Sequence, residues 1–342
     1  MTQQDSILTV GSAAARPGER ATGWLPLGTR PDGTPLGIPV VVLNGSAPGP
    51  RLSLIAGVHG DEYDCVEGLR RFLAGIDPAD LSGSIVATTQ ANPTAFEYAS
   101  RHNPIDHLDL NRSFPGRDAG FLTERVGAAL SSAFIESADY LLDLHSGGMV
   151  LGLVPFVGFD DTPGEVGEAS LRLAKATGIE TLYASVPFKN VLRLAAAERG
   201  VPSILVEIGS EGRMKEHLAD YAAATLRRVA VGVGVLPGEP ATTARFRVVR
   251  AASTGEFLHA DNGGFLLHAV ELGQIVEEGD LLGRIVDPFG DELEAIHAPH
   301  AGFIAELRTI PATRIGDWTY AVLPVVGELT ATAELAEMRS FA

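Results

Sequence analysis

Arg51-Leu52-Ser53-Leu54-Ile55-Ala56-Gly57-Val58-His59-Gly60-Asp61-Glu62 decides the fold of this chain. Residues 51–56 read as a buried strand, Gly57 lets the backbone turn, and His59 and Glu62 stand just beyond the strand's carboxyl end. Helical spacing of Val66, Leu69, Phe72 and Leu73 follows over 63–74. The same logic recurs twice. An apolar strand over 140–144 delivers His145, and one over 203–206 delivers Glu207. Open α/β sheets bind ligands in the crevice outside the carboxyl ends of their strands, so three segments aim polar groups at one sheet edge.

Working outward, strands are expected over 20–27 and 36–43, joined by Arg30-Pro31-Asp32-Gly33, and over 84–89 and 182–185. Helices are expected over 121–137, with Thr123 as N-cap, and over 163–177, 191–199 and 215–231. This alternation predicts an α/β fold with a mostly parallel mixed sheet flanked by helices. The pattern changes near Leu236-Pro237-Gly238-Glu239-Pro240. Beyond it, short strands over 246–251, 264–268, 282–286 and 302–307 alternate with Gly turns, as in a small all-β domain. The expected organisation is a loose polar arm over 1–18, a catalytic α/β domain over 19–237 and a β-rich domain over 238–342.

Composition narrows the function. A formal charge of -17 argues against nucleic acid as a partner, because phosphate backbones recruit Lys and Arg. A few Arg in a pocket can still draw an anionic small molecule. Nearly all the positive charge is Arg, which either serves carboxylate recognition or reflects a GC-rich genome. Cys65 is the only cysteine, so no intrachain disulfide forms, and its apolar helical setting marks it as core. The first thirty residues lack the apolar run of a secretory signal, and no apolar run is long enough to span a membrane. A cytoplasmic location is the expectation, and a homo-oligomer is left open.

Two imidazoles and a carboxylate, from His59, Glu62 and His145, form a ligand set that zinc accepts while keeping a position open for water. A metal in such a site lowers the pKa of its water to about 7, which suits a hydrolase. Taken alone, His59 can fill a loop and Glu62 can start a helix, where the dipole favours a carboxylate. Asp143 lies two residues before His145, on the same strand face. It either orients His145 or pairs with an Arg.

The segment from Asn103 to Gly116 includes Asp109-Leu110-Asn111-Arg112-Ser113-Phe114-Pro115-Gly116. Gly-x-His-Gly-Asp-Glu, Asp-Leu-Asn-Arg-x-Phe-Pro-Gly, Asp-Leu-His and Val-Glu-Ile-Gly occur here in that order. In this the chain resembles the succinylglutamate desuccinylase/aspartoacylase family of the zinc carboxypeptidase superfamily. The motifs cover about residues 35–235 and identify the superfamily far better than the substrate. By matched position, the resemblance implies one zinc ion per chain held by His59, Glu62 and His145. Glu207 would be the general base, Asn111 and Arg112 would hold a substrate carboxylate, and Asp109 would orient a zinc-bound imidazole. Arg101 is the only Arg in the loop where the family places an oxyanion-stabilising cation. Arg193 either contacts substrate or sits on a solvated helix face. His107 stands where many members have Gly.

The segment 263–304 is similar to biotinyl and lipoyl barrel-sandwich domains, but no lysine follows Lys215, which excludes a modified-lysine carrier. This region either lines the site's mouth or mediates oligomer contacts. The resemblance implies a zinc amidohydrolase that removes a small acyl group from an N-acyl amino acid-like substrate carrying a carboxylate. The alternative is a zinc carboxypeptidase acting on short peptides. A non-catalytic binder on the same scaffold is disfavoured by the intact ligands and Glu207.

Overall fold

The computed structural model describes residues 7–185, 189–240, 243, 245–251 and 257–339. A ten-stranded sheet runs through its centre, in the order Val325–Thr330, Arg245–Val249, Thr181–Ala184, Phe156–Phe159, Ser203–Glu207, Tyr140–His145, Ala47–Ala56, Ser82–Thr88, Pro35–Asn44 and Glu19–Thr29. Five neighbouring pairs are parallel and four antiparallel. The sheet is therefore mixed, with its parallel core formed by the strands that carry the site.

Alternation along the strands sends side chains to two faces. Leu52, Leu54, Ala56, Leu142, Leu144 and Val206 pack on one side with Leu69 and Phe72 of helix Asp64–Ala74 and Leu226 and Val229 of helix Glu216–Gly232. Ile55, Val86 and Leu141 pack on the other with Leu110, Phe114, Phe134 and Leu192. The two helices approach closely at Gly68, where an added Cβ would overlap the Ala222 side chain. Cys65 is buried in the first cluster, and burial pushes its thiol well above the ordinary range.

Several expectations are revised. Residues 8–15, expected as part of a loose arm, form a hairpin that pairs Leu8–Val10 with Ala13–Ala15 and buries Val10, Ala13 and Ala15. Small alanines fit against the sheet there, so this segment has a core contact that polar composition concealed. The helix expected over 121–137 is Leu122–Leu130 followed by a π-helical turn, Ser131–Ile135. Thr123 is not its N-cap. The Glu124 carboxylate accepts from the Phe121 N–H at 2.8 Å, while Asp106 takes the Thr123 N–H and hydroxyl at 2.8 and 2.7 Å.

The central strand Phe156–Phe159 was not expected, since Gly152, Pro155 and Gly158 break the periodicity around it. Its pairing with Ser203–Glu207 and Thr181–Ala184 supplies what local pattern lacks. The sheet also draws strands from both sides of residue 237, through Arg245–Val249 and Val325–Thr330. Conversely, Leu151–Leu153 leaves the large sheet and pairs with Gly302–Arg308. Together with Leu151–Leu153, the remaining C-terminal strands form a five-stranded and a four-stranded antiparallel sheet. Among the described residues, no helix is long and apolar enough to cross a membrane.

Candidate active site

The turn after Ala56 is tightly determined. Gly57 has φ +70°, in the left-handed region, and a Cβ on Gly60 would overlap the Ala95 carbonyl. That turn points His59 and Glu62 back over the strand ends. His59 Nδ1 lies 2.6 Å from Glu62 Oε1, and His145 Nδ1 lies 2.9 Å from Glu62 Oε2. The two Nδ1 atoms are 3.2 Å apart. All three side chains are buried, and their ligand atoms lie within 4.8 Å of one another. Two imidazole nitrogens and a carboxylate converging on one buried point are a donor cluster that a single shared cation would satisfy at once. The donor set, two neutral nitrogens and one carboxylate, fits zinc.

The outer nitrogens are also engaged. Asp109 Oδ1 lies 3.1 Å from His59 Nε2, and Asp143 Oδ1 lies 2.8 Å from His145 Nε2. Each ring therefore turns its Nδ1 inward while a carboxylate holds the other end, the usual support of a metal-bound imidazole. Of the two alternatives for Asp143, contact with His145 is the one formed. Burial alone would lower His145, but Asp143 and Glu62 raise it well above the ordinary value. Burial would raise Glu62 and Asp109. Glu62 is instead held well below the carboxylate range by His59 and His145, and Asp109 by His59, Arg101 and Arg112.

Glu207 pairs in register with His145 on adjacent parallel strands. Its Oε2 is sealed from solvent with no hydrogen-bond partner among the described residues. Burial pushes its carboxyl up to about 8. The loop beyond it is clamped to the first segment by Asp64, which accepts from the Ser210 N–H at 3.2 Å and the Lys215 N–H at 2.7 Å. Gly209 (φ +99°) permits this, because a Cβ there would overlap the Asp64 carboxylate.

The Asn111 side chain is also brought in. Its amide nitrogen is 3.3 Å from His145 Nε2, and its Oδ1 accepts from the Leu192 N–H at 3.1 Å. Arg112 donates to the Asn111 carbonyl at 2.7 Å. Arg101 pairs with Asp109 at 3.2 Å and approaches Glu62 at 3.8 Å. Arg193 is buried on helix Leu192–Ala197 and donates to Ser185 Oγ at 3.4 Å, so it is not a solvated Arg. All of these except Asp109 line one cavity of about 360 Å³, together with His59, Glu62, Asp143, His145 and Glu207. Asp109 stands behind His59. His102 and His107 are exposed and outside this cavity. His107 has φ +61°, a conformation that glycine adopts at no cost. His297 and His300 lie on the exposed surface against backbone carbonyls.

Sequence reasoning had the C-terminal region at the site's mouth as one of two alternatives but named none of the residues of this far wall. Phe257, His259, Glu306 and Trp318, all beyond residue 238, line the same cavity. Trp318 stacks on Phe257 with centroids 4.7 Å apart, and the Arg101 guanidinium lies 5.7 Å from the Trp318 centroid. One signal was available: Glu306 interrupts the apolar run Phe303-Ile304-Ala305-Glu306-Leu307.

The sequence profile of the succinylglutamate desuccinylase/aspartoacylase catalytic domain matches residues 48–232. The N-alpha-acetyl-L-2,4-diaminobutyric acid deacetylase of Halomonas elongata is 28% identical over 304 residues, covering 85% of this chain and 87% of that protein. The product-bound ectoine utilization protein EutE (DoeB) from Ruegeria pomeroyi superposes with a TM-score of 0.85 at 26% identity, covering 95% of this chain and 100% of that one. A succinylglutamate desuccinylase from a Silicibacter species shares the fold, with a TM-score of 0.83 at 24% identity and the same coverages, 95% and 100%. With more than half its length matched by that catalytic domain and the four motifs converging on one cavity, the chain belongs to the succinylglutamate desuccinylase/aspartoacylase family.

Proposed function

We propose that this protein is a zinc-dependent deacylase that hydrolyses the amide bond of a small N-acyl amino acid. The observation that carries the reading is the meeting of His59, Glu62 and His145 at one sheet edge, with Glu207 in register beside them. The Halomonas relative is named for an N-acetylated amino acid, which supports the same substrate class.

His59, Glu62 and His145 would hold the ion. When bound, it supplies Lewis acidity toward the amide carbonyl and toward water. Glu207 takes a proton from the attacking water and hands it to the leaving amine nitrogen. Burial raises this carboxyl in the metal-free protein, and the charge of a bound ion would draw it back toward the ionised form that accepts the proton. Arg101 stabilises negative charge developing on the carbonyl oxygen. Arg112, steered by Asn111, holds the substrate carboxylate, and Arg193 adds a further positive charge to the same cavity. Asp109 and Asp143 keep the imidazoles oriented. The apolar wall of Leu151, Leu153 and Phe156 limits water around the reacting amide. A cavity of about 360 Å³, closed on one side by C-terminal strands, favours a small substrate over a peptide.

The test is amine release by zinc-loaded protein from N-acetyl and N-succinyl amino acids beside matched dipeptides. Acyl amino acids should be hydrolysed and dipeptides spared. Glu207→Ala should lose activity by at least about a hundredfold, and chelation should abolish it until zinc is restored. Preferential dipeptide turnover would move the protein to carboxypeptidase chemistry.

A further inference from the structure

Arg101 is held from two sides. Its guanidinium pairs with Asp109 at 3.2 Å and lies 3.8 Å from Glu62. Asp109 stands outside the cavity of about 360 Å³, so its pull draws the cation away from the reacting centre. The opposing hold comes from beyond residue 238. The guanidinium lies over the Trp318 ring, 5.7 Å from its centroid, and Trp318 lines the cavity. The indole is itself fixed: it begins strand Trp318–Leu323, pairs in register with His259 and stacks on Phe257 with ring planes 12° apart.

A carboxylate and an aromatic face hold an arginine differently. A carboxylate engages the N–H groups, which lie in the guanidinium plane and are then no longer free. An aromatic face engages the charge and leaves those N–H groups free to donate. Free donors are what a carbonyl oxygen gaining negative charge requires. Resting on the reading of Arg101 as the oxyanion-stabilising group, we propose that Trp318 is a positioning residue whose ring keeps the Arg101 guanidinium at the substrate carbonyl. The C-terminal strands then complete the oxyanion site as well as walling it. A second cavity, of about 690 Å³, shares Arg101, Arg112, Gly147, Leu151 and Trp318 with the first. If Trp318 only walled this neck it would touch substrate and act on KM, whereas by positioning Arg101 it acts on kcat.

The experiment is a double-mutant cycle on the zinc-loaded full chain, using the N-acetyl amino acid that wild type hydrolyses fastest. Arg101→Met should lower kcat on the order of a hundredfold. Trp318→Leu should lower kcat on the order of tenfold, with KM within about threefold. Trp318→Phe, which restores a ring face, should recover most of that loss. In the Arg101→Met background, Trp318→Leu should cost no more than about twofold, because the group it positions is gone. A readout without turnover covers a misfolded Trp318→Leu. Trp24 and Trp318 are the two tryptophans, and Trp24 is exposed on the sheet's edge strand. In a Trp24→Phe chain all tryptophan emission comes from Trp318, and adding Arg101→Met should change its intensity, since the charge over the indole is removed.

A rise in KM with kcat unchanged in Trp318→Leu overturns the proposal and makes Trp318 a wall. So does an equal fold-loss from Trp318→Leu in both backgrounds, or a Trp318 emission that ignores Arg101→Met. The underlying readings fail separately. Arg101→Met turning over as fast as wild type removes Arg101 as the oxyanion stabiliser and the role of Trp318 with it. Silence of wild type toward every acyl amino acid overturns the deacylase reading and all that rests on it.

Discussion

Glu207 carries the clearest conflict between stability and chemistry. Its buried carboxyl titrates near 8, whereas an unfolded glutamate titrates near 4.5. Below pH 4.5 both states are protonated and no ionisation penalty exists. As pH rises from 4.5 to 8, the unfolded chain releases its proton first, so this group progressively favours unfolding. Above 8 the penalty is constant. Glu207→Gln should therefore raise the Tm of metal-free protein, with a gap over wild type that opens between pH 4.5 and 8. Thermal unfolding of chelator-treated protein at several pH values checks this; a gap independent of pH would remove Glu207 titration as its source. The same substitution should abolish turnover, the trade-off expected when an active-site group is strained by burial.

Elements hold the site through their ends and their packing. Helix Asp64–Ala74 begins two residues after Glu62, so its seat on the sheet sets where the first ligand pair stands. Besides the apolar contact through Leu69 and Phe72, Arg71 bridges it to helix Glu216–Gly232 by pairing with Glu67, Glu216 at 2.5 Å and Asp220 at 2.6 Å. Hydrogen bonds from Arg70 and then Arg71 hold Glu67 down at about 2. Its stabilising effect is full above pH 4.5 and is lost as pH falls through 2. Arg71→Ala should lower Tm by only about 1–2 °C at neutral pH, since Glu216 and Asp220 face solvent and Arg70 still pairs with Glu67. The deficit should shrink between pH 4.5 and 2, which a pH series of melting curves reads directly.

Across the whole molecule, the two ends of the chain's second part return to the central sheet. Arg245–Val249 pairs with Thr181–Ala184, and Val325–Thr330 closes that edge. Removing residues 238–342 would strip two strands, bare the edge of Thr181–Ala184 and take away Glu306 and Trp318. The truncated chain should aggregate or unfold without cooperativity, which size-exclusion chromatography and calorimetry would show. A stable monomeric 1–237 fragment would mean that the large sheet closes without its C-terminal strands. Trp318 makes the same dependence local, because its ring lies beside Arg101 from the other side of the fold.

Strand ends 51–56, 140–144 and 203–206, each followed by a polar residue, were legible without coordinates, and with them the α/β class and the trio of His59, Glu62 and His145. Short-range periodicity and residue chemistry are local properties, and a strand end followed by glycine and histidine states both at once. The strand Phe156–Phe159, the hairpin over residues 8–15 and the individual residues of the cavity's far wall were not legible. Their stability comes from partners distant in sequence: a glycine-broken strand pairs on both sides, and Glu306 meets Leu153 at a separation of 153 positions (306 minus 153). The sequence by itself determined which groups could do the chemistry. Only the tertiary structure decided which residues face them across the cavity, because long-range pairing and burial set that wall and local pattern does not encode them.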